Sequence, residues 1–272
     1  MSSELESPAE NLAEAPIIEA VFDIKVELPP DLDLAKLVAE ARKAFAEDYP
    51  KASKFFHHSL QVSPGEDAAG EIEREKTVRG VRLRHHAENQ LIHIHQEGFS
   101  FNRLAPYTSF DDYLPEVRRC WYRFVELARP VVVRRITLRN INRVRLPREE
   151  DGTVPLKSYV LAAPRKPEIH GVGMTGFMSQ LRLTEPKNDL EAMVTLASEP
   201  NHSDHTSASM ILDIEAFSTQ SFDADDENIW TAFHLLRNLK NRIFHASLSE
   251  ECLQPYRRDL PPTDRSPPPP SA

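Results

Sequence analysis

The most restrictive feature of this sequence is a run of alternating apolar and polar residues close to its start. The apolar side chains occupy every second position, at Ile18, Ala20, Phe22, Ile24, Val26 and Leu28. Charged residues stand between them, at Glu19, Asp23, Lys25 and Glu27. Neighbouring side chains of a β-strand point to opposite faces of a sheet, so this run predicts a half-buried strand. Pro29 and Pro30 end the strand, because proline has no N–H for a sheet hydrogen bond.

Helical and strand periodicities then follow one another in an order that occurs twice. The first half combines the opening strand with a helix at 34–45, strands at 54–62, 76–86 and 90–96, and a helix at 112–128. The second half combines strands at 131–146, 177–184, 190–197 and 208–217 with a helix at 226–244, and its first helix is reduced to an irregular stretch at 155–167. Strands that follow one another directly favour antiparallel pairing. We therefore predict an α+β fold of internally duplicated β-α-β-β-β-α units, which form antiparallel sheet with the helices packed on one face.

The predicted duplication divides the chain into two halves of one integrated domain, residues 15–128 and residues 129–254. Residues 1–14 carry several glutamates and no basic residue, and residues 255–272 are rich in proline. Segments of such composition cannot bury enough apolar surface to offset the loss of chain entropy. We expect both end segments to be disordered tails.

Composition and charge exclude several classes of protein. Glycine supplies only 8 of 272 residues, which disfavours folds built on repeated glycine-rich phosphate loops. The net charge of −9 disfavours nucleic-acid binding by the whole surface, because such binding is mainly neutralisation of phosphates. No apolar run has the length of a membrane span, and the acidic start lacks the features of a signal peptide. Cys120 and Cys252 are too few for a disulfide framework, so we expect a soluble, cytoplasmic protein.

Two predicted strands concentrate arginine on one face against this acidic background. A two-residue turn at 88–89 would give strands 76–86 and 90–96 a consistent core face. The opposite face of this hairpin then carries Arg82, Arg84, His86, His93 and His95. The apolar face of strand 131–146 carries Val132, Ile136, Leu138, Val144 and Leu146. Its other face carries Arg135, Arg139, Arg143 and Arg145, so the sequence predicts a basic sheet surface.

This basic surface has two interpretations. Arginine forms forked hydrogen bonds with phosphate and carboxylate groups, so the surface can bind an anionic ligand or an acidic partner. Carboxylates of the same chain can also neutralise the arginines as cross-strand pairs. The carboxylates in suitable positions are Glu19, Asp23 and Glu27 of the first strand, and Glu191, Asp213 and Glu215 of the second half. Exposed pairs contribute only about 0 to 1 kcal/mol each, so internal pairing does not exclude a competing ligand.

Histidines provide a second candidate site. His93 and His95 project from one face of a strand, and His86 can approach them from the neighbouring strand, an arrangement that metal sites use. No cysteine lies near them, however, and the neighbouring arginines repel a cation. We therefore predict neither a metal nor a cofactor, and we retain a histidine-containing catalytic site as an alternative.

The segment Gly171-Val-Gly-Met-Thr-Gly176 matches the dinucleotide-binding fingerprint literally. That fingerprint requires a preceding strand and a following helix. Here Pro164 and Pro167 precede the glycines, and residues 177–184 are predicted to form a strand. We interpret the glycines as a flexible connection to that strand.

The two ends of the predicted domain carry a resemblance to known sequences. Ala15-Pro-Ile-Ile-Glu-Ala-Val-Phe-Asp-Ile24 and Leu239-Lys-Asn-Arg-Ile-Phe244 resemble the end motifs of an uncharacterised, sporadically distributed bacterial family of similar length. The resemblance spans roughly residues 12–256. It implies no catalytic residue, cofactor or substrate. Its patchy occurrence implies an accessory role, for example in mobile-element or defence-type gene pairs.

These observations favour a binding or accessory protein over an enzyme. We expect it to use the basic sheet surface for an acidic partner or an anionic ligand. The residues expected to carry binding are Arg82, Arg84, His86, His93, His95, Arg135, Arg139 and Arg143. One alternative is an enzyme of unrecognised class with His93 and His95 in its site. The other is a nucleic-acid-binding saddle, because the predicted element order resembles that of TATA-box-binding proteins.

Overall fold

A computed structural model describes residues 12–63, 71–87, 89–165, 167, 169–199 and 207–257, with the backbone alone for 55–63 and 71–78. Most of the two predicted tails, residues 1–11 and 258–272, lies outside the described residues. The described parts of the tails contact each other, since the backbone N–H of Glu14 donates to the Tyr256 carbonyl at 3.2 Å. None of the helices in the described ranges combines the length and the apolar composition that a membrane span requires.

The described residues form nine strands and five α-helices. The strands are β1 (Ile17–Glu27), β2 (Lys51–Ser63), β3 (Glu71–Arg84), β4 (Gln90–His95), β5 (Gly98–Leu104), β6 (Val132–Pro147), β7 (Met178–Glu185), β8 (Leu190–Ser198) and β9 (Ser207–Ser218). The helices are α1 (Leu34–Ala44), α2 (Phe110–Ala128), α3 (Leu156–Tyr159), α4 (Asn228–Ser247) and α5 (Glu250–Leu253).

All nine strands belong to one antiparallel sheet, in the order β2-β3-β4-β5-β1-β6-β9-β8-β7. β1 pairs with β5 on one side and with β6 on the other, so the first strands of the two predicted halves lie together near the centre. The predicted α+β class and antiparallel sheet are confirmed. The internal duplication stays a prediction.

One face of β1 forms the middle of the core. Ala20, Phe22 and Ile24 have no exposed surface, which confirms the alternation predicted for this strand. The ring of Phe22 lies 5.4 Å from that of Phe110 in α2 and 5.6 Å from that of Phe233 in α4. Burial of one such side chain contributes about 1.5–3 kcal/mol. This contact of three rings therefore fastens both long helices to the same side of the sheet.

Polar side chains define where the first two helices begin. Asp33 accepts hydrogen bonds from the backbone N–H groups of Ala35 and Lys36 at 2.8 and 3.2 Å, so it caps α1. Ser109 accepts from the N–H of Asp112 at 3.1 Å. That cap starts α2 two residues before the predicted position.

Strand β5 is missing from the prediction. Its Phe99 and Phe101 are buried in the core, and Ser100 and Asn102 point to the other face, so the expected alternation is present. The strand is only seven residues long and follows β4 after Gln96 and Glu97 alone. A turn as short as this leaves little sequence signal between the two strands.

The predicted two-residue turn at 88–89 is wrong. The ladder of β3 and β4 ends with Arg84 opposite Leu91, and the N–H of His85 then donates to the Gln90 carbonyl at 2.9 Å. This register differs from the predicted one by two residues. Side chains alternate with a period of two, so Arg82 and His93 still share a face.

The predicted core face of β6 is wrong at its start. Val133, not Val132, is fully buried. The register of β1 against β6 shifts between Lys25 and Val26, which is the signature of a β-bulge. The extra residue reverses the direction in which the two valines point.

The glycine segment at 171–176 connects directly to β7 through Phe177. No strand precedes it and no helix follows it within residues 160–185, apart from the positions 166 and 168 that are not described. The interpretation as a connection to a strand is therefore confirmed.

Gly98 is a position at which a side chain cannot fit. Its φ is +142°, and a Cβ atom would lie 2.1 Å from the carbonyl oxygen of Ile24 on β1. We expect Gly98→Ala to lower the free energy of unfolding by about 1–3 kcal/mol or more through steric strain, measured by urea denaturation. Gly173→Ala is the control, because nothing lies within 4 Å of its Cβ position. Equal stability of Gly98→Ala and the parent protein would contradict this close approach.

Candidate functional site

The side of the sheet opposite the helices, called the outer face below, carries most of the predicted binding residues. Its members are Arg82 and Arg84 of β3, His93 and His95 of β4, Ser100 and Asn102 of β5, Glu19, Asp23 and Lys25 of β1, Arg135, Thr137, Arg139 and Arg143 of β6, and Asp213 and Glu215 of β9. Residues paired across neighbouring strands point to the same side. One continuous row therefore crosses five strands and consists of Arg82, His93, Ser100, Asp23 and Thr137.

Each of the three predicted arginines of β6 forms an ion pair with a carboxylate of the chain. Arg139 binds both oxygens of Asp213 at 2.8 and 2.6 Å. Arg143 binds both oxygens of Glu199 at 2.8 and 2.9 Å. Arg135 donates to Glu215 at 2.5 Å. Internal pairing is therefore present at this part of the outer face.

The carboxylates of β1 are not the partners of these arginines, although β1 and β6 are neighbours as expected. The register places Glu19 opposite Ile141 and Asp23 opposite Thr137. Arg139 instead stands opposite Val21. The carboxylates and the arginines are thus offset by two residues along the strands, and β9 supplies diagonal partners for Arg135 and Arg139 on the other side.

Arg135 also covers an aromatic ring. Its guanidinium carbon lies 3.9 Å from the centre of the Phe217 ring, within the range of a cation–π contact. The side chains of Arg135 and Glu215 are 29% and 32% exposed, so this pair is partly removed from water. Arg135 therefore holds its position through two different interactions.

The middle of the outer face is polar and buried. Ser100 and Thr137 are 6% and 5% exposed, and Asp23 lies between them in the same row. Burial raises the pKa of Asp23 to about 6, while the charges of Lys25 and Arg135 lower it by a smaller amount. No described residue donates a hydrogen bond to the Asp23 side chain. The charged form of this carboxyl is therefore poorly stabilised.

Asn102 has an unsatisfied acceptor in the same region. Its amide nitrogen donates to Glu19 at 2.6 Å. Its amide oxygen is buried and accepts no hydrogen bond from the described residues. Such buried orphan groups are uncommon, because each costs about 1–3 kcal/mol of lost hydration.

Arg82 and His93 form the most distinctive pair of the outer face. Nε of Arg82 donates to Nε2 of His93 at 3.0 Å. Burial lowers the pKa of His93 to about 4, and the charge of Arg82 acts in the same direction, so the imidazole is neutral at physiological pH. Among the described residues no carboxylate forms an ion pair with Arg82. Its positive charge is therefore not neutralised as those of the β6 arginines are.

His95 is also neutral and engaged. Burial is the main cause that lowers its pKa. Its Nδ1 accepts from the backbone N–H of Glu97 at 3.2 Å. Each of the two β4 histidines thus already uses one ring nitrogen as an acceptor, which leaves the pair less suited to bind a cation.

The other two predicted residues lie towards the end of β3. Arg84 is half-buried on the outer face, opposite Leu91. His86 lies beyond the end of the strand, where its backbone N–H donates to the Asp48 carbonyl at 3.0 Å. Its ring packs against that of His85 at 3.9 Å. The structure therefore groups Arg82, Arg84, His93 and His95 on one surface and directs His86 to other contacts.

Sequence reasoning missed the polar centre of the outer face. Ser100 and Asn102 belong to the strand that was not predicted, and Thr137 lies between two predicted arginines. In each strand these polar residues alternate with apolar ones, and this alternation was the only sequence signal that they face the same side as Asp23. In the described part of the chain, no group of three or more histidine, cysteine, aspartate or glutamate side chains could hold a metal ion.

We compared the chain with known protein families and with curated proteins. No protein-family model matches the chain, and no curated protein is significantly similar to it.

The buried carboxyl of Asp23 predicts a pH dependence of stability. Its pKa is 3.8 in the reference state and about 6 in the folded protein, so folding takes up a proton between these values. Stability therefore falls as pH rises through this window, and ionised Asp23 costs about 3 kcal/mol at neutral pH. We expect Asp23→Asn to raise the free energy of unfolding at neutral pH and to remove this dependence, measured by urea denaturation at several pH values.

The matched control is Asp213→Asn, which removes a carboxylate that Arg139 already neutralises. We expect this variant to lower stability at neutral pH. If both aspartate variants changed stability in the same direction, the contrast between the isolated and the paired carboxylate would be wrong.

Proposed function

We propose that this protein is a cytoplasmic, non-enzymatic binding protein whose outer face binds an acidic segment of a partner protein. The observation that carries the proposal is the hydrogen bond from Arg82 to a neutral imidazole. An arginine held in this way keeps its full charge, has a fixed orientation and retains free N–H donors for a carboxylate. His93 thus orients Arg82 without neutralising it.

The ion pairs of β6 have a second role in this proposal. Exposed or half-exposed pairs contribute about 0 to 1 kcal/mol each, so an incoming carboxylate can compete for Arg139 or Arg143 at little cost. An extended acidic segment lying across β3 to β6 would therefore meet Arg82 first and then arginines for which its carboxylates can compete.

The alternatives receive less support from the same surface. A catalytic role for His93 and His95 requires an accessible base, yet both imidazoles are already hydrogen-bonded. A nucleic-acid saddle would have to displace the carboxylate partners of Arg135, Arg139 and Arg143 together, whereas an acidic segment needs to compete for only one of them. The nucleic-acid alternative predicts a different outcome in the experiment below.

We further propose that the two halves arose by internal duplication and that the chain belongs to the sporadic bacterial family that its end motifs resemble. The strand order supports the duplication, because β5, β4 and β3 extend from β1 as β9, β8 and β7 extend from β6. Membership of that family would favour an accessory role, as in mobile-element or defence-type gene pairs.

Binding to poly-L-glutamate tests the proposed surface with a defined acidic probe. We expect Arg82→Glu to weaken binding about fivefold or more, since the loss of one exposed ion pair already costs up to about 1 kcal/mol and reversal adds repulsion. Fluorescence polarisation of a labelled peptide measures this. Arg123→Glu is the matched control, because Arg123 is also exposed but lies on α2, away from the outer face.

Equal weakening by both variants, or none by either, would contradict the proposal. Tighter binding to duplex DNA than to poly-L-glutamate, with a steep salt dependence that Arg82→Glu reduces, would favour the nucleic-acid saddle instead. Co-purification from the native host with the parent protein and Arg82→Glu would then identify the partner that depends on this residue.

A further inference from the structure

A second polar region lies on the opposite side of the sheet, where α4 crosses β6 beside the start of α2. It forms a pocket of about 80 Å³. Asn140 and Asn142 of β6 provide its floor, Lys240 of α4 provides one wall, and Tyr107 from the loop before α2 provides another. Phe244 and Ile17 add apolar surface. This pocket lies among the core residues and is independent of the outer face.

Asn140, Asn142 and Lys240 occupy positions on the core-facing sides of β6 and α4, where apolar residues are expected. Asn140 and Asn142 have the same parity in β6 as Leu138 and Val144, and they are 3% and 2% exposed. Lys240 is only 8% exposed on the buried side of α4. Polar residues in such positions are costly unless they have a function or a complete set of partners.

Two amide groups hold the ammonium group of Lys240. Its Nζ donates to the side-chain oxygen of Asn241 at 2.8 Å. The Asn140 amide is best oriented with its nitrogen towards the Arg139 carbonyl, and its oxygen then accepts from Nζ of Lys240 at 3.0 Å. Both partners are neutral. Within the described residues no carboxylate forms an ion pair with Lys240.

The nearest charged groups do not supply the missing counterion. Arg237, one turn earlier on α4, forms an ion pair with Asp111 of α2 at 3.0 Å. That guanidinium also lies 5.1 Å from the centre of the Phe110 ring. Tyr107 and His245 are the other titratable groups that line the pocket, and neither is an anion at neutral pH. A protonated Lys240 therefore has no counterion among the described residues that line the pocket.

An isolated buried ammonium group is unfavourable, because burial removes its hydration without replacing it by an opposite charge. Burial is the main cause that lowers the pKa of Lys240, to about 7, and the charge of Arg237 adds to it. A bound anion would supply the absent counterion and stabilise the protonated amine.

We propose that this pocket is a binding site for a small carboxylate ligand whose carboxylate group pairs with Lys240. One unbalanced charge matches a monoanion, whereas a phosphate dianion needs further cations or arginine forks. A cavity of about 80 Å³ holds roughly three water-sized groups, since one water occupies about 30 Å³ in the liquid, so the ligand is short. Phe244 and Ile17 would contact its apolar part.

Acetate tests the site as the simplest carboxylate, and acetamide is its neutral counterpart of the same shape. We expect acetate to raise the melting temperature of the parent protein in a saturable manner, at constant ionic strength, and acetamide to have no such effect. Lys240→Met removes the cation. Asn241→Asp keeps the lysine but places a carboxylate where the Asn241 oxygen lies 2.8 Å from Nζ.

Both variants are expected to weaken acetate binding on the order of tenfold or more, because each removes the unbalanced charge by a different route. Both are also expected to raise the melting temperature without ligand. Lys36→Met is the matched control, since Lys36 is an exposed lysine of α1 that is 72% accessible. It should bind acetate as the parent protein does.

Three outcomes would overturn the proposal. The first is the absence of a saturable effect of acetate on the parent protein. The second is an equal effect of acetamide. The third is acetate binding that survives both Lys240→Met and Asn241→Asp. If Lys240→Met does not fold, Asn241→Asp decides the question alone, because it changes only one atom of the amide group and keeps the lysine.

Discussion

The antiparallel pairing of β1 with β6 is the constraint on which the rest of the structure depends. It places the first strand of each half side by side near the middle of a nine-stranded sheet. On one side of this pair, Phe22 meets rings from both long helices. On the other side, the same register decides which charged residues face one another. Core packing and surface electrostatics therefore share a single cause, since a shift of one residue would exchange the two faces.

On the outer face, the register of β1 against β6 determines which carboxylate can pair with which arginine. The alternation of β1 and β6 allowed the prediction that carboxylates and arginines share a face. It did not decide between the carboxylates of β1 and those of β9 as partners, because that choice depends on an offset of two residues between Asp23 and Arg139. The offset leaves Asp23 without an ion pair among the described residues, and Arg135 and Arg139 pair with β9 instead. The predicted binding arginines of β6 are consequently neutralised, and Arg82 is distinguished by its imidazole partner.

Patterns of period two and period 3.6 were sufficient to predict eight strands and the long helices, whereas features that depend on tertiary contacts were not. The bulge that buries Val133 has no local signature in the sequence. The turn between β3 and β4 was mispredicted because two registers that differ by two residues give the same faces. Lys240 and Asn142 did interrupt apolar stripes, at positions in phase with Leu236 and Val144. Only the structure shows that these interruptions meet in one pocket.

The strand order also has a consequence for how the chain folds. The meanders β2 to β5 and β7 to β9 consist of neighbours in sequence and can form by local steps. β1 pairs only with strands that lie far along the chain, and such distant contacts form slowly. Until β6 arrives, one edge of β1 exposes its backbone donors and acceptors beside an apolar face. Each half therefore protects the other from association through an open sheet edge, and a fragment that ends after α2 would lose that protection.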